Sequence, residues 1–176
     1  MKRIYMVLLA TILISASSFA QKGKNQIGVG ADVSMPTSDF GSYFKTGFGG
    51  YVKALLGVGK SGQVSFTSGY SSFKASGDLP LTLSIVPIMV GYRANFNGFF
   101  VEPQLGYSVV GGKMLTEDEG FQTDSEGAFM WAAGIGYQFT NKLEVSARYQ
   151  MSSKAGTNLG AFGLRLGYNF SLNGSK

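Results

Sequence analysis

Residues 161–170 read AFGLRLGYNF, and their side chains separate cleanly onto the two faces of an extended strand. One face is large and apolar and carries Phe162, Leu164, Leu166, Tyr168 and Phe170. The other face is small or polar and carries Gly163, Arg165, Gly167 and Asn169. The same division recurs along most of the chain, with aromatic residues near the strand ends. This pattern favours an apolar face that meets lipid, and it predicts a transmembrane β-barrel.

The N-terminus indicates the compartment. Lys2 and Arg3 precede an apolar run over 4–14, and Ser18-Phe19-Ala20 is followed by Gln21 in the small-x-small pattern of signal peptidase sites. A membrane anchor is the alternative, but the run has only about half of the roughly 20 apolar residues that a spanning helix needs. We therefore predict a cleaved signal peptide over 1–20 and a barrel domain over 21–176 in the bacterial outer membrane.

The composition is that of an all-β chain. Glycine is abundant with 26 residues, aromatic residues make up 14%, proline occurs four times and cysteine is absent. No second long apolar stretch and no sustained helical periodicity occur, so any membrane crossing must be made by strands. The formal net charge of +5 comes from scattered basic residues. We therefore expect no nucleic-acid partner and no dependence on disulfides.

Eight segments alternate between apolar and small or polar residues. They span 27–35, 48–56, 63–73, 83–96, 99–110, 129–139, 143–151 and 161–170. Pro87 lies inside the fourth segment, where proline cannot donate to the ladder, so we expect a bulge or a local break there. Asn97-Gly98 is the strongest hairpin signal in the chain. The predicted fold is all-β, an eight-stranded antiparallel up-and-down transmembrane β-barrel.

The links between these segments alternate in length. Those after the second, fourth and sixth segments are short, at 57–62, 97–98 and 140–142. The others are longer, and 113–127 is the longest and most acidic. Outer-membrane barrels have short periplasmic turns and long external loops, and an even strand number leaves both termini in the periplasm. The order of the links fits that arrangement throughout.

The stretch from Ser84 to Gly112 carries a family resemblance in five short elements. These are Ile85 to Ile88, Gly91-Tyr92, Asn97-Gly98, Phe99-Phe100 and Gly106-Tyr107. Together they resemble the central hairpin of the small outer membrane β-barrel domain family that includes PorT-like proteins. The resemblance spans nearly the whole mature chain, and it implies a fold and a location rather than an activity.

The last strand also resembles the signal by which the barrel-assembly machinery recognises its clients. The residues that occupy its positions are Gly163, Leu166, Tyr168 and Phe170. In the family the final aromatic residue is usually terminal, whereas here 171–176 follow it. The resemblance implies two partners, the assembly machinery during biogenesis and outer-membrane lipid afterwards.

Charged residues of both signs fall on the predicted inward face. They are Asp32, Lys53, Arg93, Glu102, Glu144, Arg148 and Arg165. A charge in a narrow lumen must be paired or solvated, so we expect a packed network that closes the barrel. We expect Arg165 to pair with Glu102 or Glu144. A gated polar pathway through the same residues is the alternative, although eight strands enclose only about enough room for side chains.

The remaining motifs do not predict catalysis, a metal or a cofactor. The chain has no histidine to activate a serine, and Ser152-Ser153-Lys154 is typical of a turn. A group of acidic residues could hold calcium, but it lacks the spacing of a known calcium loop and favours a solvated loop. It consists of Glu117, Asp118, Glu119, Asp124 and Glu126. A second set is better interpreted as an interface belt than as a ligand stack, and it consists of Trp131, Tyr137, Tyr149 and Tyr168.

Three functions are compatible with these patterns. The first is a structural or interaction barrel, not an open pore, whose external loops contact a ligand or protein partner. The second is a transport or secretion-associated barrel that passes small solutes. The third is a soluble periplasmic barrel of lipocalin type, in which the apolar faces would point inward around an apolar ligand.

Overall fold

The computed structural model describes residues 25–77, 81–116, 120–140, 142–154 and 156–172, with the backbone alone at 38–39, 113–116 and 120–124. The predicted signal peptide lies outside the described residues. Eight antiparallel strands form a closed barrel in which β8 pairs with β1. The strands are β1 (Gln26–Thr37), β2 (Gly47–Val58), β3 (Gly62–Lys74), β4 (Leu81–Phe96), β5 (Phe99–Thr116), β6 (Gly120–Phe139), β7 (Leu143–Lys154) and β8 (Thr157–Ser171). The predicted up-and-down topology is confirmed.

The two faces of the strands divide as the alternation predicts. On β8, Phe162, Leu164, Leu166 and Phe170 are 52–55% exposed on the outside of the barrel. Most of the side chains buried inside the barrel are polar or charged, and apolar side chains such as Leu55, Met89 and Met130 are buried among them. A lipocalin-type barrel needs an apolar lining, so that alternative is wrong for this chain. None of the described residues forms a helix long and apolar enough to cross a membrane.

The end of the barrel at which the described residues begin and end, at Asn25 and Leu172, is here called the periplasmic end. It has three tight links, at 59–61, 97–98 and 140–142. In the second of these links, Asn97 and Gly98 both have positive φ, at 51° and 95°. Two-residue turns of this kind match the twist of the strands they join, which explains the Asn-Gly sequence. The short links after β2, β4 and β6 are therefore confirmed.

The opposite end, here called the external end, departs from the sequence-based expectation. The segment 113–127 is not a loop, because β5 continues to Thr116 and β6 begins at Gly120. The link between β7 and β8 is also short, since β7 reaches Lys154 and β8 begins at Thr157. Beyond the membrane both faces of a strand meet water, so the apolar alternation fades while the backbone hydrogen bonds continue. The long links after β5 and β7 are thus extended hairpins.

A short helix that the sequence analysis did not predict lies at the external end. Helix α1 (Ser38–Tyr43) follows β1 directly and places Phe40 inside the barrel mouth, where it is 3% exposed. The Phe40 and Phe73 rings lie edge to face with centroids 5.1 Å apart, and Ile85 completes the buried cluster. We call Phe40, Phe73 and Ile85 the aromatic plug.

The break at Pro87 is confirmed in part. The pairs Ser68–Ile88 and Ser71–Ile85 keep one register between β3 and β4, so no bulge is inserted. Between them the ladder to β3 has no pair at Pro87, whereas Pro87 still pairs with Ser108 on the β5 side. Proline therefore interrupts the sheet on one side only, because its missing N–H belongs to a single neighbouring strand.

Candidate functional site

Arg93 lies at the centre of the lumen, on β4. Its side chain is fully buried, and its Nε and Nη2 donate to Glu102 Oε2 at 2.9 and 2.6 Å. Its Nη1 donates to Glu144 Oε2 at 2.8 Å, and its guanidinium carbon lies 3.7 Å from the centroid of the Phe100 ring. One guanidinium therefore joins two carboxylates from different strands and stacks on an aromatic wall.

Glu144 on β7 is the second connecting point of the lumen. Its Oε1 accepts a hydrogen bond from Lys53 on β2, and its Oε2 also accepts one from Asn169 Nδ2 at 3.1 Å. Glu144 is 1% exposed, so its charge depends on these partners rather than on water. The contacts tie β2, β4, β7 and β8 together across the barrel.

The network continues from Glu102 towards β3. Gln104 Nε2 donates to Glu102 Oε1 at 2.6 Å and to Thr67 Oγ1 at 3.0 Å. We call the connected group of Arg93, Glu102, Glu144, Lys53 and Gln104 the central network. Its members come from four strands, so it forms only when the barrel is closed.

Asp32 lies apart from the central network. Its carboxylate accepts hydrogen bonds from Ser34 Oγ at 2.9 Å and from Ser71 Oγ at 3.3 Å. Both serines are buried, as is Asp32 at 4% exposure. Asp32 lies on the inner face, and its hydrogen bonds come from hydroxyl groups and not from a cation.

The expected pairing of Arg165 with Glu102 or Glu144 is wrong. The Arg165 guanidinium carbon lies 4.4 Å from the centroid of the Tyr51 ring, and no described carboxylate lies within ion-pair distance of it. Both glutamates already bind Arg93, which the tilt of the strands brings closer. Which charges meet across a barrel depends on that tilt, and the sequence pattern of one strand does not contain it.

Arg148 on β7 is the most isolated charge of the described lumen. It is 5% exposed, and its one hydrogen bond goes from Nη2 to the sulfur of Met89 at 3.1 Å. Thioether sulfur is a weak acceptor, so this contact compensates little of the charge. Of the seven predicted lumen charges, four therefore meet in direct ion pairs, and Asp32, Arg148 and Arg165 do not.

The free space of the described lumen changes along its axis. At the periplasmic end a polar vestibule of about 370 Å³ is lined by Gln26, Gln63, Asn95 and Gln138. The middle of the lumen holds only a cavity of about 20 Å³. Beyond it the aromatic plug occupies part of the external mouth, beside a cavity of about 470 Å³ that is lined by Val110, Ala128, Ser152 and Leu159. The vestibule therefore ends blindly at the central network.

Missed by the sequence analysis were Phe40, Tyr51 and Phe100, although they shape the site. Tyr51 and Phe100 lie on the inward faces of β2 and β5, two residues from the lumen charges Lys53 and Glu102. This spacing could have identified them as aromatic rings that stack against the arginines of the lumen. Phe40 gave no such signal, because it lies in a link that has no periodicity.

The predicted belt aromatics all lie on the outward face. Near the external end, Trp131 and Tyr149 have ring centroids 5.7 Å apart. Near the periplasmic end, the ring centroids of Tyr137 and Phe139 are 4.7 Å apart, and those of Tyr168 and Phe170 are 4.8 Å apart. The rings form two clusters at different heights, as interface belts do. The assembly-signal positions Gly163, Leu166, Tyr168 and Phe170 lie in β8, with the last three facing outward.

The acidic group of the external hairpin is described only at its last member. Glu126 pairs with Lys154 across an exposed surface at 2.8 Å. The side chains of Glu117, Asp118, Glu119 and Asp124 lie outside the described residues. Among the side chains that are described, no three acidic residues come close enough to hold a metal ion.

Comparison with known proteins gives the same architecture. The chain is similar to Ail of Yersinia pestis, solved with the heparin analogue sucrose octasulfate, with 18% identity, a TM-score of 0.66 and coverage of 85% of this chain and 100% of Ail. The N-terminal barrel domain of Pseudomonas aeruginosa OprF has 16% identity and a TM-score of 0.63, and the match covers 85% of this chain and 100% of that domain. Neisserial surface protein A has 13% identity and a TM-score of 0.59, and the match covers 84% of this chain and 97% of that protein.

These identities are low, so the three structures support the fold alone. None of the curated proteins is a significant match to the sequence. The model of the outer membrane protein beta-barrel domain matches residues 6–170, which is most of the chain. With its lipid-facing apolar surface and its closed eight-stranded barrel, this chain belongs to the outer membrane protein β-barrel domain family.

Proposed function

We propose that this protein is a closed membrane anchor that presents an external contact surface and does not conduct solutes. The observation that carries the proposal is the closure of the lumen at its centre. The central network fills the middle with hydrogen-bonded charges, and the aromatic plug covers part of the external mouth. A permanent aqueous path would have to break buried ion pairs, which costs several kcal/mol for each.

Conductance across planar bilayers tests this closure. We expect the purified, folded wild-type barrel to give no stable openings, in a membrane where an added open porin does. A variant with Phe40→Ala and Phe73→Ala should also stay silent, because the central network remains in place. Stable openings of the wild type would favour the transport alternative and contradict a closed anchor.

The hairpin formed by β5 and β6 is the proposed contact surface. These strands have 18 and 20 residues, whereas β1 and β2 have 12 each, so the hairpin extends furthest beyond the lipid. Residues 116–127 contain five carboxylates and no cation in the sequence. We infer a partner with a basic surface, and we expect weak affinity for sulfated ligands such as the one bound to Ail.

Retention on immobilised heparin tests the sign of this surface. We expect the folded wild-type barrel to pass through at moderate salt. The matched control changes Glu117, Asp118 and Glu119 to lysine, which reverses the hairpin charge without altering the membrane-spanning part, and it should be retained. Tight retention of the wild type would contradict the inferred partner chemistry.

Export is the remaining part of the proposal. The basic start, apolar run and Ser18-Phe19-Ala20 pattern support cleavage before Gln21. N-terminal sequencing of protein from isolated outer membranes should begin near Gln21. A mature chain that keeps residues 1–20 would contradict a cleaved signal.

A further inference from the structure

Two neighbouring arginines on the inner wall have no described carboxylate within ion-pair distance, although Asp32 lies opposite Arg165 in the β1–β8 ladder. Arg148 pairs with Gly163 and Arg165 pairs with Ser146 in the same β7–β8 ladder, so the two arginines are diagonal neighbours. The Nε and Nη1 of Arg148 are buried with no hydrogen-bond partner among the described residues. The Nε of Arg165 is buried in the same condition. Three nitrogen atoms of charged side chains are thus left without a hydrogen-bond acceptor in one region.

The carboxylates that could serve them are already engaged. Glu102 and Glu144 bind Arg93 and Lys53, and Asp32 binds two serines. Within the described membrane-spanning lumen there are four cations and three carboxylates, which leaves one excess positive charge: Lys53, Arg93, Arg148 and Arg165 against Asp32, Glu102 and Glu144. Burial of an uncompensated cation is costly, so an anion from outside the chain would be stabilising.

One small cavity borders both arginines. It measures about 20 Å³, and Arg148 and Arg165 line it together with Gly134 and Ser146. Space of about this size holds one water molecule. The glycine leaves the wall open, and the serine hydroxyl adds a possible donor. The carboxylates of Glu102 and Glu144 also border the cavity, but their oxygens are directed to Arg93, Lys53 and Gln104.

We propose that the lumen binds one small inorganic anion of chloride size between the guanidinium groups of Arg148 and Arg165. A water molecule would satisfy hydrogen bonds and leave the excess charge in place. A chloride ion is only slightly larger, accepts the same N–H groups and neutralises the charge. A phosphate or sulfate ion is too large for the cavity, which makes the site selective for monatomic anions.

Crystals of the wild-type protein grown with bromide in place of chloride provide the direct test. Bromide scatters anomalously, so an occupied site should give an anomalous peak in the cavity, in contact with Arg148 and Arg165. A cavity that holds water alone would show no such peak and would overturn the proposal. This measurement needs no variant and does not depend on the stability of an altered barrel.

The unfolding of the folded barrel in urea provides the second test. We expect the urea midpoint to fall when chloride is replaced by gluconate at constant sodium and ionic strength, because a ligand that binds only the folded state stabilises it. Arg148→Gln should abolish this chloride response. The matched control Lys142→Gln removes an exposed cation from the periplasmic turn and should keep the full response. An unchanged wild-type midpoint, or an equal response in Arg148→Gln, would overturn the proposal.

Discussion

Arg93 organises the lumen with a single guanidinium group. Its three donated hydrogen bonds reach two carboxylates, and its flat face rests on Phe100. Lysine has the same charge, but it lacks the planar fork that bridges two acceptors. The identity of this residue therefore matters more than its charge.

Arg93→Gln should destabilise the barrel strongly. The change leaves Glu102 and Glu144 buried with fewer cations, and breaking a buried ion pair on one side costs about 3 to 5 kcal/mol. The measurement follows the folded fraction against urea concentration, using the difference in gel mobility between unboiled folded protein and boiled unfolded protein. The control is Lys142→Gln. Similar midpoints for both variants would contradict the inside-outside assignment of the charges.

The Tyr51 ring fits on the inner surface of the barrel because two of its neighbours, Gly30 and Gly167, have no side chain. A Cβ at position 30 would stand 2.7 Å from the Tyr51 ring, closer than real Cβ atoms come, and Gly167 lies against the phenol oxygen. The ring thus lies flat on the inner surface and offers its face to Arg165. The hydroxyl itself has no hydrogen-bond partner among the described residues.

Two substitutions of Tyr51 should therefore behave in opposite ways. Tyr51→Phe keeps the ring and removes a buried, unsatisfied hydroxyl, so its unfolding free energy should equal or exceed that of the wild type. Tyr51→Ala removes the wall under Arg165 and leaves a cavity, at a cost of about 3 to 5 kcal/mol. Urea unfolding of both variants in the same detergent checks the contrast. A large loss in Tyr51→Phe would mean that the hydroxyl binds an ordered water.

Among the elements, β8 closes the barrel and carries the proposed assembly signal. It pairs with β7 along one edge and with β1 along the other, from Gly160–Thr37 to Ser171–Gln26. Its outward face ends in Phe170, which contacts Tyr168 at 4.8 Å. We propose that this aromatic residue at the end of the strand is both a membrane anchor in the folded barrel and the feature that the assembly machinery recognises before folding.

Phe170→Ala should lower the amount of protein in the outer membrane more than it lowers the stability of the folded barrel. The proposed recognition needs the aromatic side chain, whereas the folded barrel loses only lipid-facing surface and the ring contact with Tyr168. The measurements are outer-membrane yield in cells and the urea midpoint after refolding in detergent. Phe162→Ala, at the other end of the same face, is the matched control and should keep a normal yield.

The elements also show what the sequence can predict. All eight strands and both of their faces follow from alternation, because lipid on one side and a polar lumen on the other impose opposite chemistry on neighbouring residues. That constraint ends at the edge of the lipid. The β5–β6 extension and the plug formed by Phe40 lie beyond it, so their patterns gave no signal. The partners of Arg148 and Arg165 were also unpredictable, because strand tilt determines which side chains meet.

Over the whole molecule, the usual arrangement of a folded protein is inverted. Large apolar side chains cover the outside, and most of the buried residues of the described lumen are polar or charged. Stability therefore depends on two conditions. The outer apolar band must meet lipid, and the polar and charged groups inside must satisfy one another's hydrogen bonds and charges. A change on the outside should be judged by its depth in the bilayer, and a change on the inside by its hydrogen-bond partners.

Leu166→Arg and Leu172→Arg test this dependence on depth. Leu166 lies midway along β8 and is 55% exposed, and Leu172 is 57% exposed but follows the end of the strand. An arginine near the bilayer midplane costs about 2 to 4 kcal/mol, and one near the interface about 0 to 1 kcal/mol. Urea unfolding in phospholipid bilayers should show that difference. Equal losses at both positions would contradict the proposed position of the lipid band.

The one tryptophan of the chain is a built-in fluorescent probe of membrane insertion. Trp131 lies outside the barrel beside Tyr149, in the aromatic cluster nearer the external end. A chain that inserts from the periplasmic side must carry this indole through the full thickness of the membrane. Bromine atoms placed at different depths of the lipid tails would quench its fluorescence in sequence, and the order of quenching would time the passage of the β5–β6 hairpin.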